Sequence, residues 1–206
     1  MTEAVRIFCP AVGAIDRREV FRYMGGGAAD AEVEQLLDAA IAEAENAFTY
    51  RACAREFAIA IKGDQINLGF ASVESRDLAK CLSGCDAVIV FAATVGVGID
   101  RLIARYSRLS PARALCMQAL GSERIEALCD ALCEEWKKEY ASRGYTLRPR
   151  FSAGYGDLPL SLQSDIFESL QCAKHVGLTL CDSLLMSPTK SVTAIVGLKR
   201  KEDEPI

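Results

Sequence analysis

Three places in this 206-residue chain gather side chains that could do chemistry. The first is Arg148-Pro149-Arg150-Phe151-Ser152-Ala153-Gly154-Tyr155-Gly156-Asp157-Leu158-Pro159-Leu160. Prolines and glycines around an aromatic residue predict an irregular loop of defined shape over 148–159. Such a loop leaves backbone N–H and C=O groups outside regular structure, open to a flat heterocycle. An arginine at its edge offers a two-pronged clamp for a carboxylate. Tyr155 offers a stacking face and a hydroxyl. A ligand loop and a plain surface loop are both open on composition alone.

The second place is Thr94-Val95-Gly96-Val97-Gly98-Ile99, after an apolar run and ahead of a helix. A glycine-rich phosphate loop would sit there. The third glycine of a dinucleotide fingerprint would fall at 101, which is Arg101, and no Gly-Lys-Ser/Thr ending follows. A close strand-to-helix turn of small residues is the simpler reading. The third group is His175, the lone histidine, and nine cysteines. One histidine excludes a catalytic zinc with several histidine ligands, and His175 reads as a capping or packing residue near a helix end. The pairs Cys81/Cys85 and Cys129/Cys133 are spaced to share a helix face. Metal sites favour tighter Cys-x-x-Cys turns, so these read as reduced core thiols, with a metal or cluster site as the competitor.

The elements that must position these residues follow from pattern. Half of the residues are hydrophobic and 25% are charged, which fits a globular chain. A helix is expected over Ala29–Ala47, with Asp30 as N-cap after the Gly25-Gly26-Gly27 loop, and a short helical turn over Arg17–Met24. Glu56–Ile61 and Gln65–Phe70 read as a hairpin around Gly63-Asp64, followed by a helix over Ser75–Leu82. Ala87–Ala93 reads as a strand buried on both faces. Ser110-Pro111 starts a helix that runs to about Ser142, with Gly121-Ser122 as a break point. A short helix near Ser161–Leu170 and a last hairpin, Leu178–Leu185 with Val192–Leu198, complete the chain. No repeat or polar linker divides it, so the expectation is one α+β domain over 1–206, with a twisted, largely antiparallel sheet flanked by helices.

The net charge of −4 argues against a nucleic-acid partner, and Lys199-Arg200-Lys201 is cancelled by Glu202-Asp203-Glu204. The apolar run Ala87–Ile99 is shorter than the roughly 18 residues a spanning helix needs. Met1-Thr2-Glu3-Ala4 lacks the start of a secretory signal. No membrane role and a cytoplasmic location are expected.

Taken in order, several segments resemble the activation (reactivation) domain of cobalamin-dependent methionine synthase. Arg150–Gly156 is similar to that family's Arg-Pro-x-Pro-Gly-Tyr-Pro motif, which binds S-adenosylmethionine. Lys174-His175-Val176-Gly177-Leu178 resembles its Lys-His-x-Gly-hydrophobic segment. Met186–Val192 resembles its Met-x-Pro-x-x-Ser-Val segment, and Ala93–Ile99 its Gly-x-Gly-Ile turn. The resemblance spans about Asp86 to Gly197, best over 86–198 and weaker over 1–85. No Asp-x-His-x-x-Gly cobalt-ligand motif accompanies it.

That resemblance implies a free-standing S-adenosylmethionine-binding domain. It would act in trans on a cobalamin-binding methionine synthase subunit or a related corrinoid methyltransferase. The cobalamin would be carried by the partner, and electrons would come from a flavodoxin-type donor. The implied ligand residues are Arg150 as the carboxylate clamp, Ser152, Gly154 and Tyr155 in the adenosine loop, and Glu135 on the long helix. Ala153 and Gly156 replace motif prolines, and Val196 stands where the family has a second tyrosine. A cap or adaptor that docks on a corrinoid protein without using S-adenosylmethionine is the competing expectation.

Overall fold

A computed structural model describes residues 4–26 and 30–201. Residues 1–3, 27–29 and 202–206 lie outside the described residues, and so do the expected helix start at Ala29 and the acidic run Glu202-Asp203-Glu204. The chain builds its central sheet from β1 (Arg6–Phe8), β2 (Arg51–Ala58), β6 (Cys85–Thr94), β7 (Tyr145–Phe151) and β10 (Ser191–Arg200). The order is β1-β2-β6-β10-β7, and every pair is antiparallel. Side chains alternate along β6 between two apolar layers, as the two-residue period of a strand requires. Ala87, Ile89, Phe91 and Ala93 enter one layer, with α1 (Arg17–Tyr23), α2 (Ala31–Ala44), α4 (Gly98–Leu109) and α5 (Pro111–Ser142). Val88, Val90 and Ala92 enter the other. That second layer holds α3 (Arg76–Cys81), α6 (Leu162–Leu170), α7 (Cys172–Val176) and the small sheet β3 (Ala60–Lys62), β4 (Gln65–Asn67) and β5 (Ser72–Glu74). The α+β architecture with an antiparallel sheet is as the sequence predicts.

Local chemistry explains most of the boundaries. Asp30 caps α2 by accepting from the N–H groups of Glu32 and Val33, and Ser75 caps α3 by accepting from Leu78 N–H. Ser110 and Pro111 begin α5 as expected. Gly121 does not break that helix; it is buried, and a Cβ there would lie 2.8 Å from the Lys190 side chain.

Several expectations of the sequence are corrected. The final hairpin does not form: Thr179–Leu180 (β8) pairs with Met186–Ser187 (β9), whereas β10 inserts between β6 and β7. Val192–Leu198 is apolar on both faces, which suits an inner strand better than a hairpin arm. Arg148–Phe151 is strand rather than loop. The register slips between Val196 and Leu198, opposite Arg148 and Pro149, and this irregularity accommodates a proline that cannot donate to the ladder. Finally, Cys81 ends α3 while Cys85 opens β6, so those two do not share a helix face. The hairpin around Gly63-Asp64 does form, as β3 and β4, but Glu56–Ala58 belong to β2 in the central sheet.

Candidate functional site

The slip at Pro149 turns both Leu147 and Arg150 toward α5. Arg150 Nη2 lies 3.0 Å from Glu126 Oε2 and 3.0 Å from Asp130 Oδ1. Arg150 Nη1 is buried and has no hydrogen-bond partner. Burial opposes the guanidinium charge, yet its neighbours outweigh that and raise the Arg150 pKa above its ordinary value. The Cys129 thiol beside it is itself pushed up to about 12 by burial, so at neutral pH the carboxylates supply the attraction. A hollow of about 690 Å³ opens here, lined by Arg148, Pro149, Arg150, Asp130, Glu134 and Lys137 among others. A neighbouring hollow of about 430 Å³ shares Asp130 and Glu134 and is bounded by Asp16 and Glu19. Glu126, Asp130 and Glu134 recur every fourth residue and so lie on one helical stripe.

Loop 152–160 follows directly from β7. Tyr155 N–H donates to Ser152 O, Leu158 N–H to Tyr155 O, and Gly154 N–H to Leu158 O. Those donors are spent within the loop, contrary to the expectation that its backbone stands open. Asp157 anchors the loop to the start of α3. Its carboxylate accepts from Ser75 Oγ at 2.5 Å, from Arg76 N–H at 2.9 Å and from Asp77 N–H at 3.2 Å. The Ser75 hydrogen bond above all holds its pKa below the usual range. The Tyr155 ring is 70% exposed and meets Phe151 edge-on, on the opposite face of the sheet from Arg150.

The amino-acid sequence matches the family model described as vitamin B12 dependent methionine synthase, activation domain, over residues 69–203. The chain belongs to this family. Among solved structures, one described as the crystal structure of the MetH reactivation domain bound to AdoHcy superposes with a TM-score of 0.70. It shares 17% sequence identity, and the alignment covers 98% of this chain and 80% of that one. No curated protein sequence matches.

As a member of the activation-domain family, the chain places its expected site residues unevenly. Arg150 faces the hollow, whereas Ser152, Gly154 and Tyr155 follow it in the loop and do not line it. Glu134 lines the hollow and pairs with Lys137; Glu135 is exposed, about 100° further round the helix, toward Arg6. Gly156 stands where the family motif has proline, with φ at +56°, which a proline ring cannot adopt. Val196 is fully buried opposite Arg150. Glu126 and Asp130 were not singled out from sequence; their fourfold spacing with Glu134 on a helix otherwise rich in buried residues was the available signal.

The remaining candidates resolve simply. His175 sits in the last turn of α7, before Gly177. All nine cysteines are free, and no group of metal-binding side chains occurs among the described residues. No helix among the described residues is long and apolar enough to cross a membrane.

Proposed function

We propose that this activation-domain chain binds S-adenosylmethionine beside Arg150 and acts in trans on a cobalamin-dependent methionine synthase or related corrinoid methyltransferase. The observation that carries the reading is the buried, unpartnered Arg150 Nη1 at the edge of the 690 Å³ hollow. The Arg150 guanidinium, turning from Glu126 and Asp130 into the hollow, would receive the ligand carboxylate. Glu134, and Asp130 once released from Arg150, line the same hollow and would face the amine and sulfonium charges. The loop from Ser152 through Gly154 to Tyr155 would flank the adenosine, and Glu135 would act only through the outer field of the helix. The bound ligand would give its sulfonium methyl to a partner's cobalt, reduced by one electron from a flavodoxin-type donor, and would leave as S-adenosylhomocysteine. The chain itself would orient the methyl and exclude water, with no acid or base required. The partner would hold the cobalamin, so the isolated chain should emerge colourless from a desalting column after mixing with cobalamin; stable red colour would contradict action in trans.

One observation favours the adaptor reading. Arg150 Nη2 already meets two carboxylates, as a bracing residue would. Calorimetry with S-adenosylmethionine separates the two. A clamp of charged hydrogen bonds is worth about 1.5–3 kcal/mol, so Arg150→Ala should weaken binding roughly 10- to 150-fold. Arg150→Lys should restore only part, because lysine lacks the planar fork. No saturable binding at millimolar ligand, or an alanine variant that loses stability while its affinity stays within twofold, would overturn the site.

A further inference from the structure

A second hollow, of about 510 Å³, opens at the other end of β6 and shares no residue with the one beside Arg150. It is lined by Arg51 at the start of β2, Arg101 in the first turn of α4, the Gly96–Gly98 turn, and Val176, Gly177 and Pro188. Two features distinguish it. No carboxylate lines it, in a chain whose net charge is −4. The exposed Arg51 and Arg101 guanidinium groups have no hydrogen-bond or ion-pair partner among the described residues, as also holds for Arg18, Arg76 and Arg108, whereas eleven arginines make ion pairs or hydrogen bonds through their guanidinium groups. Asp100, next to Arg101 in the chain, is occupied by Thr189, accepting from its N–H at 2.7 Å and its hydroxyl at 2.6 Å.

The turn between the two arginines is built for close approach. A Cβ at Gly98 would lie 2.1 Å from Ala47 O. Thr94 Oγ1 accepts from Gly96 N–H at 3.1 Å and so fixes the turn. Val97 supplies no side-chain cap to α4, so the first N–H groups of that helix add to the positive field of the arginines. Guanidinium pairs of this kind match a doubly charged tetrahedral anion better than a single carboxylate. Val97, Val176 and Pro188 give an organic body an apolar wall, and the volume is that of a small-ligand pocket.

We infer that this hollow binds a phosphoryl group, either free phosphate or a small phosphate monoester, between Arg51 and Arg101. The site is independent of the S-adenosylmethionine reading. The test follows the backbone amides of Gly96, Gly98 and Gly177 by NMR while the whole chain is titrated at constant ionic strength. Inorganic phosphate is one arm, ribose 5-phosphate a second, and ribose with added chloride the control. Saturable shifts with either phosphate are expected, and the tighter arm identifies the source. Arg51→Gln and Arg101→Gln should each weaken binding about tenfold, equal to roughly 1.4 kcal/mol, with unchanged melting temperature and unchanged S-adenosylmethionine affinity. Shifts that the chloride control reproduces, or saturable binding that survives both substitutions together, would overturn the assignment.

Discussion

Replacing Arg124 tests how the N-terminal arm is fastened beside the Arg150 hollow. Glu123 and Arg124 form an ion pair within α5, with side chains only 5% and 3% exposed. Arg124 donates to Gly13 O at 2.6 Å and Ala14 O at 3.0 Å, and Glu123 Oε1 accepts from Asp16 N–H at 3.0 Å. Arg124→Met keeps an apolar stem but leaves the Glu123 carboxylate buried without its cation. Breaking one partner of such a pair costs about 3–5 kcal/mol. At about 2–4 °C per kcal/mol for a chain of this length, the melting temperature should fall by roughly 6–20 °C. Glu123→Met should cost a similar amount, because it strands the guanidinium instead. The double variant Glu123→Met with Arg124→Met should be no less stable than either single, since no buried charge remains unpaired. Denaturant unfolding of all four proteins closes the cycle. A single Arg124→Met loss below about 1 kcal/mol, or a double loss equal to the sum of the singles, would refute the reasoning.

Other outcomes follow from single contacts. Gly98→Ala should destabilise by about 1–3 kcal/mol, because its Cβ would overlap Ala47 O, whereas Gly13→Ala, with nothing within 4 Å, should stay near wild type in the same melt. Asp157 has a folded pKa depressed chiefly by Ser75, so its anchoring of the loop is complete above the ordinary value of about 3.9 and is lost as pH falls through the lower folded value. Hydrogen exchange of Gly154 and Leu158 should therefore accelerate below about pH 4, and Asp157→Asn should remove that dependence; unchanged protection in acid would sink the anchor. Glu134→Gln should weaken S-adenosylmethionine binding by about threefold or more, and Glu135→Gln should leave it within error by calorimetry, the reverse order pointing to the other side of α5.

The parts of this fold legible in sequence are those set by local chemistry. Asp30, Ser75 and Ser110-Pro111 mark helix starts through cap bonds that involve only neighbouring residues. Ala87–Ala93 announces itself by being apolar on both faces. What was not legible depends on distant partners. Residues 192–198 look the same as a hairpin arm or an inner strand, and only their fit between β6 and β7 decides. Pro149 reads as a loop residue because the irregularity that accommodates it is made by the opposing strand. Arg150 stood out in the sequence as a candidate, but the carboxylates that meet it, 24 and 20 residues earlier in the chain, did not. The choice between Glu134 and Glu135 required the rotation of α5, which no single helix sequence supplies.

The position of β10 has a consequence for assembly. Among the described residues β7 has β10 as its sole neighbour in the sheet, so the strand that carries Arg150 is held at that edge by residues 191–200. Until those residues are made and inserted, β6 presents a bare edge and Arg150 has no fixed frame. A chain cut after Lys190 should keep helices α4 and α5 paired but release β7, and with it the hollow. The frame of the Arg150 hollow thus depends on pairing between distant parts of the chain, and such loop closures slow the search for the fold. A molecule shortened at Lys190 would therefore carry Arg150, Glu126 and Asp130 and still lack the frame that sets them around the hollow.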